Sequence, residues 1–213
     1  IFPSLDYLYP SKIISKKINY IKPDAVVSSG YHEPSLVFLL NNNILLSTPQ
    51  EAAIFLAEGK NNLGLIEIQE VINTLSPLDG AKDFLDWLRE RFQVVILSDT
   101  FYDFAQPLMR QLGYPALLCH QLHVDEDNKL IGYKLRQANP KRQAIVGFKS
   151  MYYRTIAAGD SYNDITMLTE ADAGILFHAP QNVTKEFPQF PTVNDFSSLK
   201  MEFIKASTRK IRL

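Results

Sequence analysis

The chain has a single cysteine, Cys119, among its 213 residues. One cysteine forms no disulfide framework within the chain and no thiolate metal cluster. We therefore expect a reducing, cytoplasmic compartment. Cys119 follows two leucines, so we expect it to fill a buried position rather than to act as a nucleophile.

An excess of charge of one sign is also absent, as are long apolar runs. The formal net charge is -1, which gives no electrostatic basis for binding nucleic acid or an anionic membrane. The longest apolar run, Leu36–Leu40, is too short to cross a bilayer, and Ile1 begins no recognisable signal peptide. With 46% hydrophobic residues, the chain is able to bury one α/β core with a small appended unit.

The most informative stretch, residues 156–164, changes from apolar to polar in its middle. A short buried strand is predicted at Arg154–Ala158 and Gly159 breaks it; Asp160, Asn163 and Asp164 follow where a helix begins. Ligands bind at the carboxyl ends of strands in a parallel sheet, and two aspartates four residues apart are able to face one hard cation. The alternative is that Asp160 and Asn163 only cap the helix.

A second predicted strand, Phe92–Leu97, ends in a similar way. It is almost wholly apolar, as a strand covered on both faces must be, and Ser98 and Asp99 follow it. Further along the chain, Lys141 starts a predicted helix, where a cation opposes the helix dipole. This placement indicates that Lys141 binds an anion. The alternative is a solvated lysine beside Arg142.

Ser98, Lys141 and Asp160, in this chain order, resemble the second, third and fourth motifs of the haloacid-dehalogenase-like phosphohydrolases. Within that superfamily, the chain resembles the bacterial bifunctional phosphoserine phosphatases and homoserine phosphotransferases over residues 63–213. The stretches that carry this resemblance are Ile68–Ile72, Asp86–Phe101, Pro107–Gly113, Ala157–Asp164 and Gly174–Pro180.

The resemblance implies an α/β fold with a Rossmann-like parallel sheet of the haloacid-dehalogenase type, to which a β-hairpin predicted at residues 121–136 is added. It also implies a Mg²⁺-dependent phosphomonoesterase and phosphotransferase of serine and threonine biosynthesis. Its substrate would be a small phosphorylated amino acid, phosphoserine, with homoserine as the alternative acceptor.

The resemblance also implies a role for each site residue. Ser98 and Lys141 would be catalytic, Ser98, Asp99, Lys141 and Asn163 would bind the substrate, and Asp160 and Asp164 would hold Mg²⁺. These groups suit phosphoryl transfer, because the protein mainly has to position the phosphoryl oxygens and neutralise their charge. A hydroxyl, an ammonium and carboxylate-bound Mg²⁺ supply those functions.

The attacking group of the family has no match in this sequence. Family members use an aspartate at the end of the first strand, with a second carboxylate two residues later. No carboxylate before residue 80 has another at that spacing; these carboxylates are Asp6, Asp24, Glu33, Glu51, Glu58, Glu67, Glu70 and Asp79. Ala25–Val27 and Ile44–Leu46 are candidates for the missing strand, although neither ends in a nucleophile, and Asp6 is a distant substitute. Because that strand is central in the family, its absence predicts an unpaired apolar edge in the sheet.

Residues 1–62 carry a different resemblance. Gly30–Leu39 and Thr48–Ala53 resemble the soluble C-terminal tail of membrane-embedded glycosyltransferases that transfer lipid-linked aminoarabinose. Thr48 and Glu51 form a predicted capping box at the start of a helix. We expect a small α/β segment of separate origin, joined near residue 62 to the phosphatase-like part.

Three functions remain open at this point. The first is a phosphatase and phosphotransferase that retains its phosphate and Mg²⁺ ligands. The second is a non-catalytic module that binds a phosphate anion. The third, a glycosyltransferase accessory domain, is disfavoured because the matching tail lacks the membrane part. The oligomeric state is not predicted.

Overall fold

A computed structural model describes residues 38–40, 44–46, 65, 66, 69, 73 and 76–208 of the chain. The predicted strand at Ala25–Val27, the predicted capping box at Thr48 and the candidate Asp6 lie outside the described residues. No helix among the described residues is long and apolar enough to cross a membrane.

Strands and helices alternate along most of the described chain, as in α/β folds. In chain order, the elements are β1 (Phe38–Leu40), β2 (Ile44–Leu46), α1 (Ala81–Arg89), β3 (Val95–Phe101), α2 (Tyr102–Gln111), β4 (Ala116–Val124), β5 (Leu130–Lys134), α3 (Pro140–Ser150), β6 (Ile156–Gly159), α4 (Tyr162–Glu170), β7 (Ala173–Phe177), α5 (Gln181–Glu186), β8 (Thr192–Val193) and α6 (Phe196–Thr208). In the N-terminal segment, β1 and β2 pair antiparallel.

The main sheet is divided into two three-stranded sheets, ordered β3-β4-β5 and β6-β7-β8. β3 pairs parallel with β4, and β6 pairs parallel with β7, which pairs parallel with β8. The two sheets share a core, because Ile96 of β3 packs in one apolar cluster with Ala158 of β6 and Phe177 of β7. Within the described residues no strand ladder joins β3 to β6. The predicted loss of a central strand stays a prediction.

β3 extends further than its sequence predicted. The prediction ended the strand at Leu97 and put Ser98 at its tip, but β3 runs to Phe101, and its register with β4 shifts between Leu97 and Phe101. Inside this irregular part, the Oγ of Ser98 accepts a hydrogen bond of 3.2 Å from the backbone N–H of Thr100. A local side-chain bond of this kind replaces the regular ladder.

α2 contains Pro107, a residue that usually interrupts a helix. The helix continues through Pro107. Proline has no N–H to donate to the carbonyl four residues before it, and in α2 that carbonyl belongs to Asp103. The carbonyl accepts a hydrogen bond of 3.1 Å from the Nε2 of Gln69 instead. A distant side chain thereby satisfies the backbone group that Pro107 leaves unpaired.

The predicted β-hairpin is present, but one long strand forms half of it. The first part of β4 pairs with β3, and the residues from Gln121 onward pair antiparallel with β5. In the turn, Oδ1 of Asp125 accepts hydrogen bonds from the backbone N–H groups of Asp127 and Lys129, at 3.0 and 2.8 Å. Asp125 therefore stabilises the turn, as aspartate side chains often do.

Candidate active site

Lys141 lies between the ends of the two sheets. It is the second residue of α3, and its Nζ lies 2.9 Å from Oδ2 of Asp99 in β3 and 2.9 Å from Oδ1 of Asp164 in α4. The lysine side chain is only 3% exposed, and that of Asp99 is 22% exposed. A cation buried at the start of a helix is unfavourable without anionic partners. The two carboxylates provide them, so the prediction of an ordinary solvated lysine at this position is excluded.

Asp164 connects Lys141 to the loop after β6. Its Oδ2 accepts hydrogen bonds from the backbone N–H of Asp160 at 3.0 Å and from the backbone N–H and hydroxyl of Ser161, both at 3.2 Å. With Ser161 it forms a capping box at the start of α4. The side chain therefore has a helix-capping role as well as an ionic one.

The ion pairs remain charged in spite of their burial. Burial alone would lower the pKa of Lys141, but the attraction of Asp164 and Asp99 raises that pKa above its usual value. Burial alone would likewise raise the pKa of Asp164, yet the charge and hydrogen bond of Lys141 lower it below its usual value. One ammonium thus faces two carboxylates, and the group as a whole is negative.

The other predicted residues lie on the same two strand ends. Ser98 is buried next to Asp99 in β3, and Asp160 is buried directly after β6. Asn163 lies in the first turn of α4 and is exposed.

A pocket of about 350 Å³ opens beside Lys141. Three of the predicted residues contribute to its wall, namely Asp99, Lys141 and Asn163. Ser98, Asp160 and Asp164 do not line it. The wall is completed by the loop before α3 and by His120.

A protein-family model for haloacid dehalogenase-like hydrolases matches residues 24–172. The chain belongs to this family. The match begins well before residue 63, where the resemblance noted in the sequence starts.

Two curated relatives of this hydrolase are phosphoserine phosphatases from Pseudomonas. Phosphoserine phosphatase ThrH of Pseudomonas aeruginosa is 66% identical over 154 residues, which are 72% of this chain and 75% of that protein. A phosphoserine phosphatase of Pseudomonas syringae pv. tomato is 68% identical over 154 residues, which are 72% of this chain and 65% of that protein. Within its family, the hydrolase is therefore of the phosphoserine phosphatase type.

Solved structures confirm the fold of the hydrolase. A phospho-aspartyl intermediate analogue of a phosphoserine phosphatase superposes with a TM-score of 0.59 at 22% identity, covering 74% of this chain and 78% of that one. A substrate-bound phosphoserine phosphatase superposes with a TM-score of 0.59 at 20% identity, covering 73% and 78%. The expected α/β fold of the haloacid-dehalogenase type is confirmed.

His120 is a pocket residue of the hydrolase that was not among the site residues predicted from the sequence. Its Nδ1 accepts a hydrogen bond of 3.1 Å from the backbone N–H of Arg136. Burial lowers the pKa of His120, more than the opposing effect of Asp99. A neutral ring that accepts at Nδ1 carries its proton on Nε2. The signal was available, because His120 follows a short apolar run at residues 115–119, just as Ser98 follows the apolar run that ends at Leu97.

The donor set of the hydrolase fits Mg²⁺. Mg²⁺ binds through one or two carboxylates, keeps several waters and uses phosphate oxygens as further ligands. The carboxylate of buried Asp160 lies next to the group formed by Lys141, Asp99 and Asp164, which is already negative. An anionic phosphate therefore needs a cation in order to bind there. Both oxygens of Asp164 accept hydrogen bonds from protein donors, and its role as a metal ligand stays a prediction. The described residues contain no cluster of three or more histidine, cysteine, aspartate or glutamate residues arranged around one metal position.

Proposed function

We propose that this hydrolase is a Mg²⁺-dependent phosphomonoesterase that acts on phosphoserine and also transfers the phosphoryl group to homoserine. The observation that carries the proposal is the buried Lys141, held by Asp99 and Asp164 at the wall of a pocket. An ammonium fixed in this way is a point charge that needs no reorganisation when a phosphate binds. We infer the substrate from the relatives, which are named phosphoserine phosphatases. Because this substrate is a soluble metabolite of amino-acid biosynthesis, we also place the reaction in the cytoplasm.

Each predicted residue has a task in this reaction. Lys141 neutralises one phosphoryl oxygen, and the hydroxyl of Ser98 donates to another. Asp99 and Asn163 line the pocket and contact the rest of the phosphorylated amino acid. Asp160, together with Asp164, would hold Mg²⁺, which supplies further neutralisation of charge on the phosphoryl group.

A second candidate function rests on the missing nucleophile. Among the described residues, Asp99 is the carboxylate that lines the pocket, and it is already ion-paired with Lys141. A site without an attacking carboxylate binds a phosphate monoester without hydrolysing it. The second candidate is therefore a non-catalytic phosphate-binding module.

Phosphate release from phosphoserine distinguishes the two functions. For the phosphatase, release requires Mg²⁺ and falls to background in Asp160→Asn, whereas Asp83→Asn, an exposed position in α1, retains the activity. Labelled phosphate transferred to added homoserine tests the second reaction. Phosphoserine binding without release identifies the binding module. If the chain neither binds nor hydrolyses phosphoserine, both functions are wrong.

A second measurement identifies the residue that attacks the phosphoryl group. Beryllium fluoride forms a stable adduct with the aspartate that accepts the phosphoryl group in a covalent mechanism. Mass spectrometry of the adduct would locate that aspartate. If no adduct forms in the presence of Mg²⁺ while phosphoserine is still bound, the covalent route is wrong for this chain.

A further inference from the structure

His120 lies at the point where β4 changes its pairing partner. The residue pairs with Phe101 of β3, and the next residue of β4, Gln121, pairs with Lys134 of β5. In α/β sheets, ligands bind in the crevice outside the carboxyl ends of the parallel strands. His120 belongs to such a crevice, because it forms part of the wall of the pocket beside Lys141.

The imidazole ring of His120 is held in one orientation. The residue is 3% exposed, its ring centroid lies 5.9 Å from that of Phe101, and its Nδ1 accepts the hydrogen bond from the backbone N–H of Arg136. Because Nδ1 is an acceptor, the proton of the neutral ring is on Nε2. Within the described part of the chain, this Nε2–H has no hydrogen-bond acceptor. A buried donor at a pocket wall needs an acceptor, and a bound ligand is able to supply one.

The polar groups of the site follow one another across the strands. Asp160 follows β6, and Lys141 lies between Asp164 and Asp99 of β3. His120 lies one strand further on, in β4, which pairs with β3. The proposed function, on which this inference rests, places the phosphoryl group at Lys141 and Asp160. His120 therefore lies beside the other end of the substrate, its amino-acid part.

The amino-acid part of phosphoserine carries an ammonium and a carboxylate on the same carbon. Asp99, a carboxylate in the pocket wall, suits the ammonium. The substrate carboxylate needs a hydrogen-bond donor instead. Lys141 is a buried donor in this wall, but it already holds two carboxylates. The Nε2–H of His120 is a buried donor of the same wall that is fixed in place by the bond to Nδ1.

The amide side chains in the pocket wall are less suited to this contact. They belong to Gln137, Asn139 and Asn163, and all three residues are exposed. An exposed side chain loses rotamer freedom when a ligand immobilises it. His120 avoids this cost, because its ring is already ordered in the fold.

We propose that His120 determines the specificity of the hydrolase, through a hydrogen bond from its Nε2–H to the carboxylate of the phosphorylated amino acid. The backbone N–H of Arg136 positions the ring for this contact. A site with a donor for one group of its substrate discriminates strongly against an analogue that lacks the group. The hydrolase should therefore select phosphoserine over amino phosphates that have no carboxylate.

Phosphoethanolamine tests this selection, because it has the phosphate and the ammonium of phosphoserine and lacks the carboxylate. In His120→Asn, the side-chain oxygen is able to replace Nδ1 as the acceptor for Arg136, while the donor at Nε2 is lost. The ratio of kcat/KM for phosphoserine to kcat/KM for phosphoethanolamine should fall by about tenfold or more, as expected for a hydrogen bond to a charged group. An unchanged ratio would overturn the proposal. An equal fall of kcat/KM for both substrates would also overturn it, because the carboxylate would then not be involved.

Two further variants provide matched controls. The amide nitrogen of glutamine reaches about as far as Nε2, so His120→Gln should retain most of the ratio. His123 is an exposed histidine of the same strand, and His123→Asn should leave the ratio unchanged. If His120→Gln loses the ratio as completely as His120→Asn, the donor at Nε2 is not the group that matters.

A measurement on the unsubstituted chain requires neither turnover nor a variant that folds. The ligand is the phosphonate analogue of phosphoserine, in which CH₂ replaces the ester oxygen, and the chain is isotopically labelled in its 4 histidines. By nuclear magnetic resonance, the Nε2–H of His120 should shift downfield and exchange more slowly when this phosphonate binds. The same phosphonate without its carboxylate should leave the signal unchanged. If the Nε2–H is already protected and the ligand does not change it, another part of this chain supplies the acceptor and the proposal is wrong.

Failure of this proposal differs from failure of the proposed function. If the chain hydrolyses phosphoserine and the ratio does not depend on His120, only the role of His120 is wrong. If the chain binds phosphoserine without hydrolysing it, the Kd values of the two phosphonates replace kcat/KM in the same comparison. If it neither binds nor hydrolyses phosphoserine, the proposed function is wrong and the role of His120 is wrong with it.

Discussion

A Cβ atom added to Gly159 would lie 2.5 Å from the Cβ of Asp164 and 2.7 Å from its Oδ2. Real Cβ atoms do not approach other atoms so closely, so any larger residue at 159 displaces the carboxylate that holds Lys141. Gly159→Ala should therefore destabilise the protein by about 1–3 kcal/mol, the usual cost of overpacking. Urea unfolding measures the loss.

Gly147 in α3 is the matched control for Gly159, because an added Cβ there meets nothing within 4 Å. In a helix interior, alanine is more stable than glycine by about 0.5–1 kcal/mol. Gly147→Ala should therefore stabilise the protein. If the two substitutions change stability alike, the close approach of Gly159 to Asp164 has no energetic consequence.

The buried pair of Lys141 and Asp164 should behave as one unit in a double-mutant cycle. Asp164→Asn leaves the ammonium with Asp99 as its remaining ionic partner, and Lys141→Met leaves a buried carboxylate without its cation. Lys141→Met should cost about 3–5 kcal/mol, since the remaining buried carboxylate is uncompensated, and Asp164→Asn should cost less, since Asp99 still pairs with the ammonium. The double variant should cost less than the sum of the two, by about 1 kcal/mol or more. Additive costs from urea unfolding would contradict this coupling.

Protonation of His120 should reduce stability at acid pH. Burial lowers the pKa of His120 in the fold, Lys141 and Arg136 lower it further, and Asp99 opposes them. The neutral ring is favoured in the folded state, so its stabilising contribution is complete above the unfolded pKa of about 6.5 and is lost as pH falls through the folded pKa. The slope from one such group is at most about 1.4 kcal/mol per pH unit, and it is confined to the range between the folded and the unfolded pKa.

His120→Asn should flatten this dependence of stability on pH. The measurement is the free energy of unfolding between about pH 7 and pH 5, the range in which histidine titrates. Burial also lowers the pKa of His178, so part of the slope should remain. His178→Asn in the same background should remove that part. A slope that His120→Asn leaves intact would show that His120 does not set it.

Local patterns were sufficient to predict most elements of the phosphatase-like part. β7 is an example, because its residues, Ala173–Phe177, form a short apolar run between polar residues, and such a run has few interpretations other than a strand. The strand-to-helix change around Asp160 was also recognised, and so was the helix that begins near Lys141. These signals lie within a few residues of the features that they predict.

Features that depend on distant contacts were not predicted. The ion pair between Lys141 and Asp164 joins residues 23 positions apart, and spacing alone does not reveal that one aspartate both caps a helix and holds a lysine. The extension of β3 through Ser98 depends on its pairing with β4. Tertiary contacts overrode the local pattern in both cases.

We expect the continuity of α2 through Pro107 to depend on Gln69, which lies 34 residues from the residue whose carbonyl it satisfies, Asp103. Gln69→Ala should leave the Asp103 carbonyl without that donor and cost about 1 kcal/mol of unfolding free energy. In a Pro107→Ala background, residue 107 regains an N–H that is able to donate to the same carbonyl, so Gln69→Ala should cost less there. Urea unfolding of the single and double variants measures the difference. An equal cost in both backgrounds would mean that Gln69 does not replace the hydrogen bond that Pro107 lacks, and that α2 tolerates its proline by local distortion instead.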